Sequence, residues 1–398
     1  MSALPTLSAE NQAHSQQLRD LIAQKIAAAG GWISFADFMH MALYTPRLGY
    51  YSGGAQKFGQ AGDFVTAPEI SPLFAQTIAR QAASILAASQ GDDLTSNILE
   101  LGAGTGKLAA DLLLELAELG TLPTQYFILE VSDYLRQIQC ETCQAKLPKS
   151  LFDKLVWVDS LPPSPQPSPP KGRGEGAFCG LILANEVLDA LPVHLVLKNK
   201  GELFERGVAF EGDFVWQEKP LKNKDIAQEA HGYCLPEQYL TEFCPAAKGL
   251  VNSLAEVLTQ GVILLIDYGF SAREYYHPQR DQGTLMCHFQ HFAHDNPLIN
   301  IGLQDITAHV NFSKLAEEAH GIRLAGYVTQ AQFLINCGML DIMAQHSPDS
   351  PQFMQLAAAA QKLLSPAEMG ELFKVMAFTK NCDLLLIGFA EGDKRHTL

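Results

Sequence analysis

The chain has 398 residues, its hydrophobic fraction is 47%, its charged fraction is 18%, and its formal net charge is −15. This length fits a core domain with large insertions, or two domains, and the composition is that of a soluble globular protein. An acidic chain without clustered Lys and Arg lacks the charge that displaces counterions from nucleic acid, so no nucleic-acid partner is expected.

The N-terminal segment and the cysteines bear on the compartment. Residues 1–17 lack the apolar run of a signal peptide, and they carry Glu10 and no Arg, unlike a transit peptide. No stretch approaches the roughly 18 apolar residues that span a membrane. Eight cysteines in so long a chain do not suggest a disulfide framework, and Cys140-x-x-Cys143 has no second pair at zinc-finger spacing. We therefore predict structural thiols, no metal site and a cytoplasmic protein.

Residues 1–90 are interpreted as an N-terminal helical extension and cofactor lid. Apolar residues at helical spacing predict a helix over residues 8–30. Ser34 is the expected N-cap of a helix over residues 35–44, and a third helix is predicted over residues 72–89. The Gly-rich, aromatic stretch 49–70 is expected to form an ordered loop.

From residue 97 the pattern changes to alternating strands and helices. Short apolar strands separated by amphipathic helices are typical of a parallel sheet covered by helices. We therefore predict an α/β, Rossmann-like core built from residues 91–192 and 261–398. Its expected strands are 98–101, 126–130, 155–158, 181–184 and 262–266, with helices at 107–119 and 132–146, and the C-terminal part adds a strand near 327–329, a helix from 330 and a last strand at 383–389.

Three segments interrupt this alternation. Residues 162–176 are rich in proline, and we expect an extended loop without a catalytic role. Residues 193–260 are predicted to form an inserted subdomain, with a β-hairpin over 195–216, a turn at Glu211-Gly212-Asp213 and a helix from about Thr241. A further insertion covers residues 270–325. We expect both insertions to lie beside the carboxyl edge of the sheet, where they could mediate a homodimer or a partner contact.

The first predicted strand is followed by three glycines, Gly102, Gly104 and Gly106, which open a helix. Glycines at this point let the backbone turn sharply and approach a ligand without a Cβ clash. A dinucleotide fingerprint, G-x-G-x-x-G, would need glycine at position 107, where Lys107 stands. The pattern here is E-x-G-x-G-x-G, which disfavours a nicotinamide-dependent dehydrogenase.

Acidic residues stand at the ends of the first three predicted strands. Glu130, which ends the second strand, can accept hydrogen bonds from both hydroxyls of a ribose. Glu100, just before the glycine loop, suits a ligand with a cationic amino-acid end and would repel a pyrophosphate. Asp159 and Ser160, after the third strand, are placed to meet an adenine ring. Together these residues predict S-adenosyl-L-methionine as the cofactor.

These features and several longer strings resemble the MidA-like methyltransferases, a family that includes the mitochondrial complex I assembly-factor methyltransferase. The resemblance covers the chain from about residue 33 to residue 389. The strings that carry it are YTP with GYY at 44–51, GDFVTAPEIS at 62–71, NEVLDALPV at 185–193, IDYG at 266–269 and DITAHVNF at 305–312.

The resemblance implies a class I methyltransferase fold with a seven-stranded sheet. It also implies that the stretch before the third helix closes over the cofactor from the N-terminal side, placing in the pocket Gly62, Asp63, Phe64, Thr66, Pro68 and Glu69. The best understood member of the family is described as a protein arginine methyltransferase acting on a complex I subunit. The resemblance therefore implies an arginine-bearing protein as substrate.

Methyl transfer needs a nucleophile held in line with the methyl group and an acceptor for its extra proton, and carboxylates serve both needs for a guanidinium. Asn185, counted with the cofactor-binding residues, and Glu186 end the fourth strand. Glu186 is the first candidate for holding a guanidinium. Asp189, about one helical turn on, is the second. Capping roles are the alternatives for Asn185 and Asp189. Asp267 and Tyr268, after the fifth strand, also face the carboxyl edge of the sheet, where a role in the site and a structural role are both open.

Histidines offer two further candidates. His309 is a candidate to orient the substrate or to act as a base, with a buried structural role as the alternative. His288, His291 and His294 recur every three residues, but on a helix these positions drift around the surface, so a solvated or aromatic-packed cluster is preferred to a metal site. The acceptor stays open at this point: a small-molecule N- or O-methyltransferase and a non-catalytic assembly factor that keeps the cofactor fold are the alternatives.

Overall fold

A computed structural model describes residues 4–53, 66–89, 96–161 and 178–398. The chain divides into two compact units. The insertion unit comprises Met1–Phe64, Asp189–Gly249 and Phe270–Asn311, and the sheet unit comprises Val65–Leu188, Leu250–Gly269 and Phe312–Leu398. The first two predicted helices, at 8–30 and 35–44, thus share the insertion unit with most of the two insertions, whereas the third, Pro72–Ser89, belongs to the sheet unit.

The sheet unit is built on seven strands that follow one another along a hydrogen-bonded path. They are β1 Asn97–Leu101, β2 Tyr126–Leu129, β3 Leu155–Val158, β4 Phe178–Asn185, β5 Leu258–Phe270, β6 Arg323–Thr329 and β7 Phe373–Lys380. Their order is β3-β2-β1-β4-β5-β7-β6. Strands β1 to β5 are parallel, and β7 runs antiparallel to both β5 and β6. The predicted α/β class is confirmed.

Strand order reverses between β1 and β4, which are neighbours although two strands separate them along the chain. Every residue of β1 and of β4 is buried, which explains why neither strand alternates between apolar and exposed polar residues. In open α/β sheets ligands bind at the carboxyl ends of the strands near such a reversal. The loops that follow β1 and β4 are therefore the first place to look for a site.

The predicted last strand at 383–389 is wrong. Residues 387–389 form a short 3-10 helix, Ile387–Phe389, and Leu385 is exposed. The strand is β7, which pairs with β5 along eight residues and is buried over all but its last position. The segment 383–389 is the more continuously apolar of the two, so hydrophobicity favours the wrong one, and pairing with β5 decides which one enters the sheet.

Four helices of the sheet unit begin within one residue of the predicted position, namely Pro72–Ser89, Lys107–Glu118, Asp133–Lys146 and Gln330–Asn336. The short helix Ala67–Ile70 lies in the stretch 49–70, which was expected to form a loop. Ser132 caps the helix after β2 by accepting a hydrogen bond from the Leu135 amide, and Thr329 caps the helix after β6. The helices are Ala67–Ile70, Pro72–Ser89, Lys107–Glu118, Asp133–Lys146, Lys149–Phe152, Phe312–Glu318, Gln330–Asn336, Met339–Met343 and Pro351–Leu364, with Arg395–Thr397 as a second 3-10 helix; Pro245–Val257 begins within the range of the insertion unit and ends within that of the sheet unit.

The insertion unit has its own core, formed by Leu18 and Ile22 of the first helix, Phe38 of the second, Val208 of the antiparallel sheet and Ile306. Its helices are Ala9–Ala28, Phe35–Tyr44, Lys224–Gly232 and Ala272–Tyr275. Its strands are Ile33–Ser34, His194–Asn199, Glu202–Phe210, Phe214–Pro220 and Tyr239–Phe243 in one sheet, Met286–Phe289, Phe292–His294 and Asp305–Thr307 in another, and Val310–Asn311.

Two details of the insertion unit differ from the prediction. The expected helix from Thr241 is a strand, because Tyr239–Phe243 is wholly buried and pairs with His194–Asn199, and the helix starts only at Pro245. The expected single hairpin is a three-stranded meander, whose second turn lies at residues 211–213 as predicted. In the described part of the chain, no helix has the length and apolar character to cross a membrane.

Candidate functional site

The glycine loop joins β1 to the helix Lys107–Glu118. Gly102, Gly104 and Gly106 have φ angles of 61°, 55° and 83°, a region that residues with a Cβ adopt at a cost. A Cβ on Gly106 would lie 2.9 Å from the Cα atom of Gln139. A Cβ on Gly104 would meet no atom of the described residues within 4 Å. Gly106 is therefore required by packing, whereas no described residue crowds the position of a Cβ on Gly104.

Glu100, in β1 just before this loop, is 2% exposed. The Tyr126 hydroxyl, in β2, donates a hydrogen bond of 2.7 Å to its Oε2 atom. Burial raises the pKa of Glu100 from an ordinary value of 4.5 to about 7, and the hydrogen bond from Tyr126 opposes that rise. Near neutral pH the group can therefore exchange between its two protonation states, and a nearby cation would favour the carboxylate.

Glu130 directly follows β2 and is buried. Its Oε1 atom accepts a hydrogen bond of 2.8 Å from the Ser132 amide, and its Oε2 atom accepts one of 2.9 Å from Nε2 of Gln139. Burial raises the pKa of Glu130, while these hydrogen bonds and the nearby Arg136 lower it. The carboxylate is thus held in one orientation at the carboxyl end of the strand.

Asp159 and Ser160 follow β3, and both are exposed. The Arg136 guanidinium donates to Oδ1 of Asp159 and, at 2.7 Å, to the backbone oxygen of Glu130. Val131, next to Glu130, is 75% exposed. The ends of β2 and β3 therefore present an apolar group and a carboxylate to solvent, as a face for a flat heteroaromatic ring would.

The segment expected to close over the cofactor is described only in part. Gly62, Asp63 and Phe64 lie outside the described residues. Thr66 precedes the short helix Ala67–Ile70, in which Pro68 is buried.

Two contacts tie this short helix to the loops that follow β1 and β4. The Thr105 hydroxyl of the glycine loop donates to Oε1 of Glu69. The Ala67 amide donates to Oε1 of Glu186 across 3.4 Å. The short helix Ala67–Ile70 is therefore linked by hydrogen bonds to the loops that follow β1 and β4.

Asn185 ends β4 and Glu186 follows it in a left-handed conformation, with φ 54°. The Asn185 Nδ2 atom donates to Oε1 of Glu186 across 3.1 Å, and the Glu186 amide donates to the Ile266 carbonyl across 2.9 Å. Cγ2 of Val187, the next residue, would lie 3.1 Å from a Cβ on Gly102. A strained backbone of this kind is kept only where the surroundings hold it, and such residues cluster at functional sites.

Asp267 supplies that support. It is buried in β5, and its Oδ2 atom accepts hydrogen bonds from the Val187 amide at 3.2 Å and the Leu188 amide at 2.8 Å. Its Oδ1 atom accepts a hydrogen bond of 2.9 Å from the Tyr268 amide. Of the two roles considered for Asp267, the structural one is observed: its carboxylate holds the turn that carries Glu186.

Asp189 and His309 belong to the insertion unit. Residues 186–190 form bends and a turn, so the expectation that Asp189 lies one helical turn after Glu186 is wrong. The backbone oxygen of Asp189 accepts a hydrogen bond of 2.9 Å from the Ala308 amide, which brings the two candidates close in space. The His309 ring stacks on Phe270, with centroids 5.0 Å apart and planes at 5°.

The histidine triplet lies on a hairpin, where a helix was assumed. Cys287 pairs with His294 and His288 pairs with Ala293 between two antiparallel strands, and His291 lies in the turn. Burial lowers the pKa of both His288 and His294. Within the four described ranges, no group of three or more His, Cys, Asp or Glu residues is arranged to hold a metal ion.

Sequence reasoning missed three residues whose side chains hold the acids in place, namely Tyr126, Gln139 and Arg136. It also missed Val131, the exposed apolar group beside Glu130. Gln139 is a polar residue on the buried face of its helix, between Leu135 and Cys143 in the i, i+4 series. That position was the available signal, because a polar side chain at a core position of a helix requires buried partners.

The comparisons with known proteins agree with this geometry. A family model described as "Putative S-adenosyl-L-methionine-dependent methyltransferase" matches residues 77–328. The mitochondrial protein arginine methyltransferase NDUFAF7 of Mus musculus is 31% identical over 93% of this chain and 85% of its own length. Its counterpart in Danio rerio is 30% identical over 89% of this chain and 84% of its own length. A Burkholderia thailandensis crystal structure bound to S-adenosyl-homocysteine is 46% identical, covers 100% of both chains and has a TM-score of 0.92.

Proposed function

The chain belongs to the family of S-adenosyl-L-methionine-dependent methyltransferases, and from that premise we propose that its methyl acceptor is an arginine side chain of a protein. The predicted enzyme class and cofactor are confirmed by this membership and by the similar structure that holds S-adenosyl-homocysteine. Two observations support the arginine acceptor. The relatives are named protein arginine methyltransferases, and the Glu186 carboxylate stands at the carboxyl end of β4, one residue before the Val187 side chain that abuts Gly102.

We propose that the cofactor lies along the carboxyl ends of β1, β2 and β3. Glu130 fits a ribose, because donors from the protein hold both of its oxygens, and a carboxylate with about four lone-pair sites keeps acceptor capacity for hydroxyls. Gly104 fits the close approach of the amino-acid end, since no described residue crowds the position of a Cβ there. Val131, Asp159 and Ser160 would contact the adenine. Glu100 would favour the cationic amino group.

When bound, S-adenosyl-L-methionine supplies an electrophilic methyl carbon whose bond to sulfur breaks as the new bond to nitrogen forms. Glu186 is assigned two tasks in this reaction. Its carboxylate pairs with the guanidinium and directs one nitrogen toward the methyl group. The nitrogen releases one proton as it becomes methylated, and the same carboxylate accepts that proton.

Asp189 and His309 are proposed as groups on the substrate side. Both belong to the insertion unit and are neighbours there through the Ala308 amide. The stacking on Phe270 fixes the orientation of the His309 imidazole, which supports a role of His309 in orienting the substrate. A His309→Gln variant that keeps S-adenosyl-homocysteine affinity and raises KM for the acceptor would support this assignment. Unchanged kinetics would leave His309 structural.

The experiment for the acceptor uses methyl-labelled S-adenosyl-L-methionine, the purified protein and total cellular protein. Label recovered as methylarginine after acid hydrolysis is the expected result. Label confined to extractable small molecules would contradict the proposal and favour the N- or O-methyltransferase alternative. Glu186→Gln is the matched control: it should abolish the label while calorimetry shows that S-adenosyl-homocysteine still binds.

The compartment is a separate proposal. All eight cysteines are free thiols, which supports a reducing compartment, and we infer the cytoplasm. The relatives from Mus musculus and Danio rerio are named mitochondrial proteins. Fractionation of the source cells with an antibody against this chain decides the matter, and recovery from an oxidising compartment would contradict the inference.

A further inference from the structure

We propose that Gln139 is a positioning residue whose buried side-chain amide couples the ribose end of the cofactor site to the glycine loop. The inference rests on the proposed role of Glu130 in binding the ribose. Gln139 lies in the helix Asp133–Lys146 and is fully buried. A fully buried amide persists in a protein core when its polar atoms have partners, and here those partners are parts of the cofactor site.

The amide of Gln139 donates in two directions. Its Nε2 atom lies 2.9 Å from Oε2 of Glu130 and 3.1 Å from the backbone oxygen of Gly104. An amide nitrogen carries two hydrogens, so both bonds form at once. One side chain thereby joins the acid after β2 to the middle of the loop after β1.

A third bond sets the orientation of this amide. Nε1 of Trp157, in β3, donates to Oε1 of Gln139 across 3.0 Å. An indole N–H can only donate, so the oxygen of the amide must face Trp157. The NH₂ group must then face Glu130 and Gly104, which are both acceptors. The reversed amide would place its NH₂ against the indole donor and its oxygen against the Glu130 carboxylate, and is excluded.

The main chain of Gln139 also touches the loop. A Cβ on Gly106 would lie 2.9 Å from its Cα atom and 3.1 Å from its carbonyl oxygen. The helix therefore packs against the third glycine while its side chain holds the second. A shift of this helix would move Glu130 and the loop together.

The consequence concerns the ribose hydroxyls. The Ser132 amide and the Gln139 amide each occupy one lone pair on a different oxygen of Glu130. The Val131 amide is a further donor to this carboxylate, and the acceptor capacity that remains on the two oxygens is directed toward the ribose hydroxyls. Without Gln139 the carboxylate can rotate about its last bond, so that recognition of the hydroxyls should weaken more than recognition of the rest of the cofactor.

The test is calorimetry on the full chain with S-adenosyl-homocysteine and with its 2′-deoxy and 3′-deoxy analogues. In the unchanged protein each analogue should bind about tenfold or more weakly, because a hydrogen bond to a charged acceptor is lost. In Gln139→Leu and in the unbranched Gln139→Met, the ratio of the dissociation constant of each analogue to that of S-adenosyl-homocysteine should fall several-fold, toward one. Trp157→Phe, which keeps a ring and removes the donor, should shift the ratio in the same direction by less.

Gln137→Leu is the matched control, because Gln137 lies on the same helix, is exposed and donates to Glu141. It should leave the ratio unchanged. If the Gln139 variants bind all three ligands more weakly by one common factor, or bind them as the unchanged protein does, Gln139 only supports the fold and the inference is overturned. If instead Glu130→Ala keeps the full ratio, the proposed ribose role of Glu130 is what fails.

Discussion

The hydroxyl of Tyr126 and the carboxylate of Glu100 form a hydrogen bond of 2.7 Å inside the core of the sheet unit. Both residues are buried, one in β2 and the other in β1. Glu100, which the sequence predicts to lie beside the cofactor, is therefore also a buried group with a structural partner. Its protonation should be measurable in the folding equilibrium and, if the predicted role holds, in cofactor binding.

The first prediction concerns stability against pH. Burial raises the pKa of Glu100 from 4.5 to about 7, so between these values the folded protein keeps a proton that the unfolded chain releases. The contribution of Glu100 to stability therefore falls as pH rises from about 4.5 to 7 and is constant above. Glu100→Gln should remove this pH dependence, which amounts to up to about 3 kcal/mol in the free energy of unfolding. Urea denaturation at pH 5 and pH 8 measures it, and equal pH dependence in both proteins would contradict the prediction.

The second prediction concerns protons exchanged on binding. If Glu100 faces the cationic amino group of the ligand, binding S-adenosyl-homocysteine at pH 7 lowers its pKa and releases protons. The apparent binding enthalpy should then depend on the ionisation enthalpy of the buffer. Calorimetry in phosphate and in Tris detects the release. Glu100→Gln should abolish it, and a release that persists in this variant would come from another group.

The third prediction concerns the turn after β4. Asp267→Asn replaces an acceptor with an amide that cannot accept from Val187, Leu188 and Tyr268 together. We expect a loss of about 1–3 kcal/mol in the free energy of unfolding. Methyl transfer should fall because Glu186 is no longer held, while S-adenosyl-homocysteine affinity changes little. A loss of affinity with an unchanged kcat would assign Asp267 to the cofactor.

The fourth prediction separates backbone strain from chemistry at Glu186. Its φ of 54° favours glycine, so Glu186→Gly should be more stable than Glu186→Ala by about 1 kcal/mol. Both variants lack the carboxylate and should be equally inactive in methyl transfer. Thermal denaturation and the labelled-cofactor assay give the two readings. Activity retained in either variant would remove Glu186 from the reaction.

The fifth prediction compares two glycines of the same loop. Both have positive φ, but only the Cβ of Gly106→Ala would collide with the backbone of Gln139, at 2.9 Å. Gly106→Ala should therefore be the less stable variant, by about 1–3 kcal/mol relative to Gly104→Ala. Gly104→Ala should mainly weaken cofactor binding, since no described residue crowds its Cβ. Equal affinity for S-adenosyl-homocysteine in Gly104→Ala and the unchanged protein would place the ligand elsewhere.

Predictions from the sequence succeeded where a short segment carries its own signal. Ser34 and Ser132 cap the helices predicted after them, and β3 has the predicted bounds. They failed where pairing with another strand decides the structure. The segment 383–389 is more continuously apolar than 373–380, yet pairing with β5 made the latter the strand. The strand Tyr239–Phe243 was mistaken for the start of the helix that begins at Pro245, because only its pairing with His194–Asn199 makes it a strand.

The candidate site shows the same division. Spacing alone singled out the glycine loop and the acids after it as candidates, because a loop with positive φ angles and an acid at the end of a strand are local features. The partners of those acids come from other strands and helices. Gln139 and Asp267 could not be assigned to Glu130 and to the turn of Glu186 before the strand order was known.

By itself, the sequence determined the class of fold, the cofactor and the positions of the carboxylates along the chain. Each of these follows from residue types at short spacing, and short spacing is set by the geometry of single strands, helices and turns. Only the tertiary structure decided which buried amides and hydroxyls orient those carboxylates. Burial and these partners shift the pKa values of the carboxylates and fix the direction in which their oxygens point. Hydrogen bonds between distant segments depend on packing, and packing is a property of the whole unit.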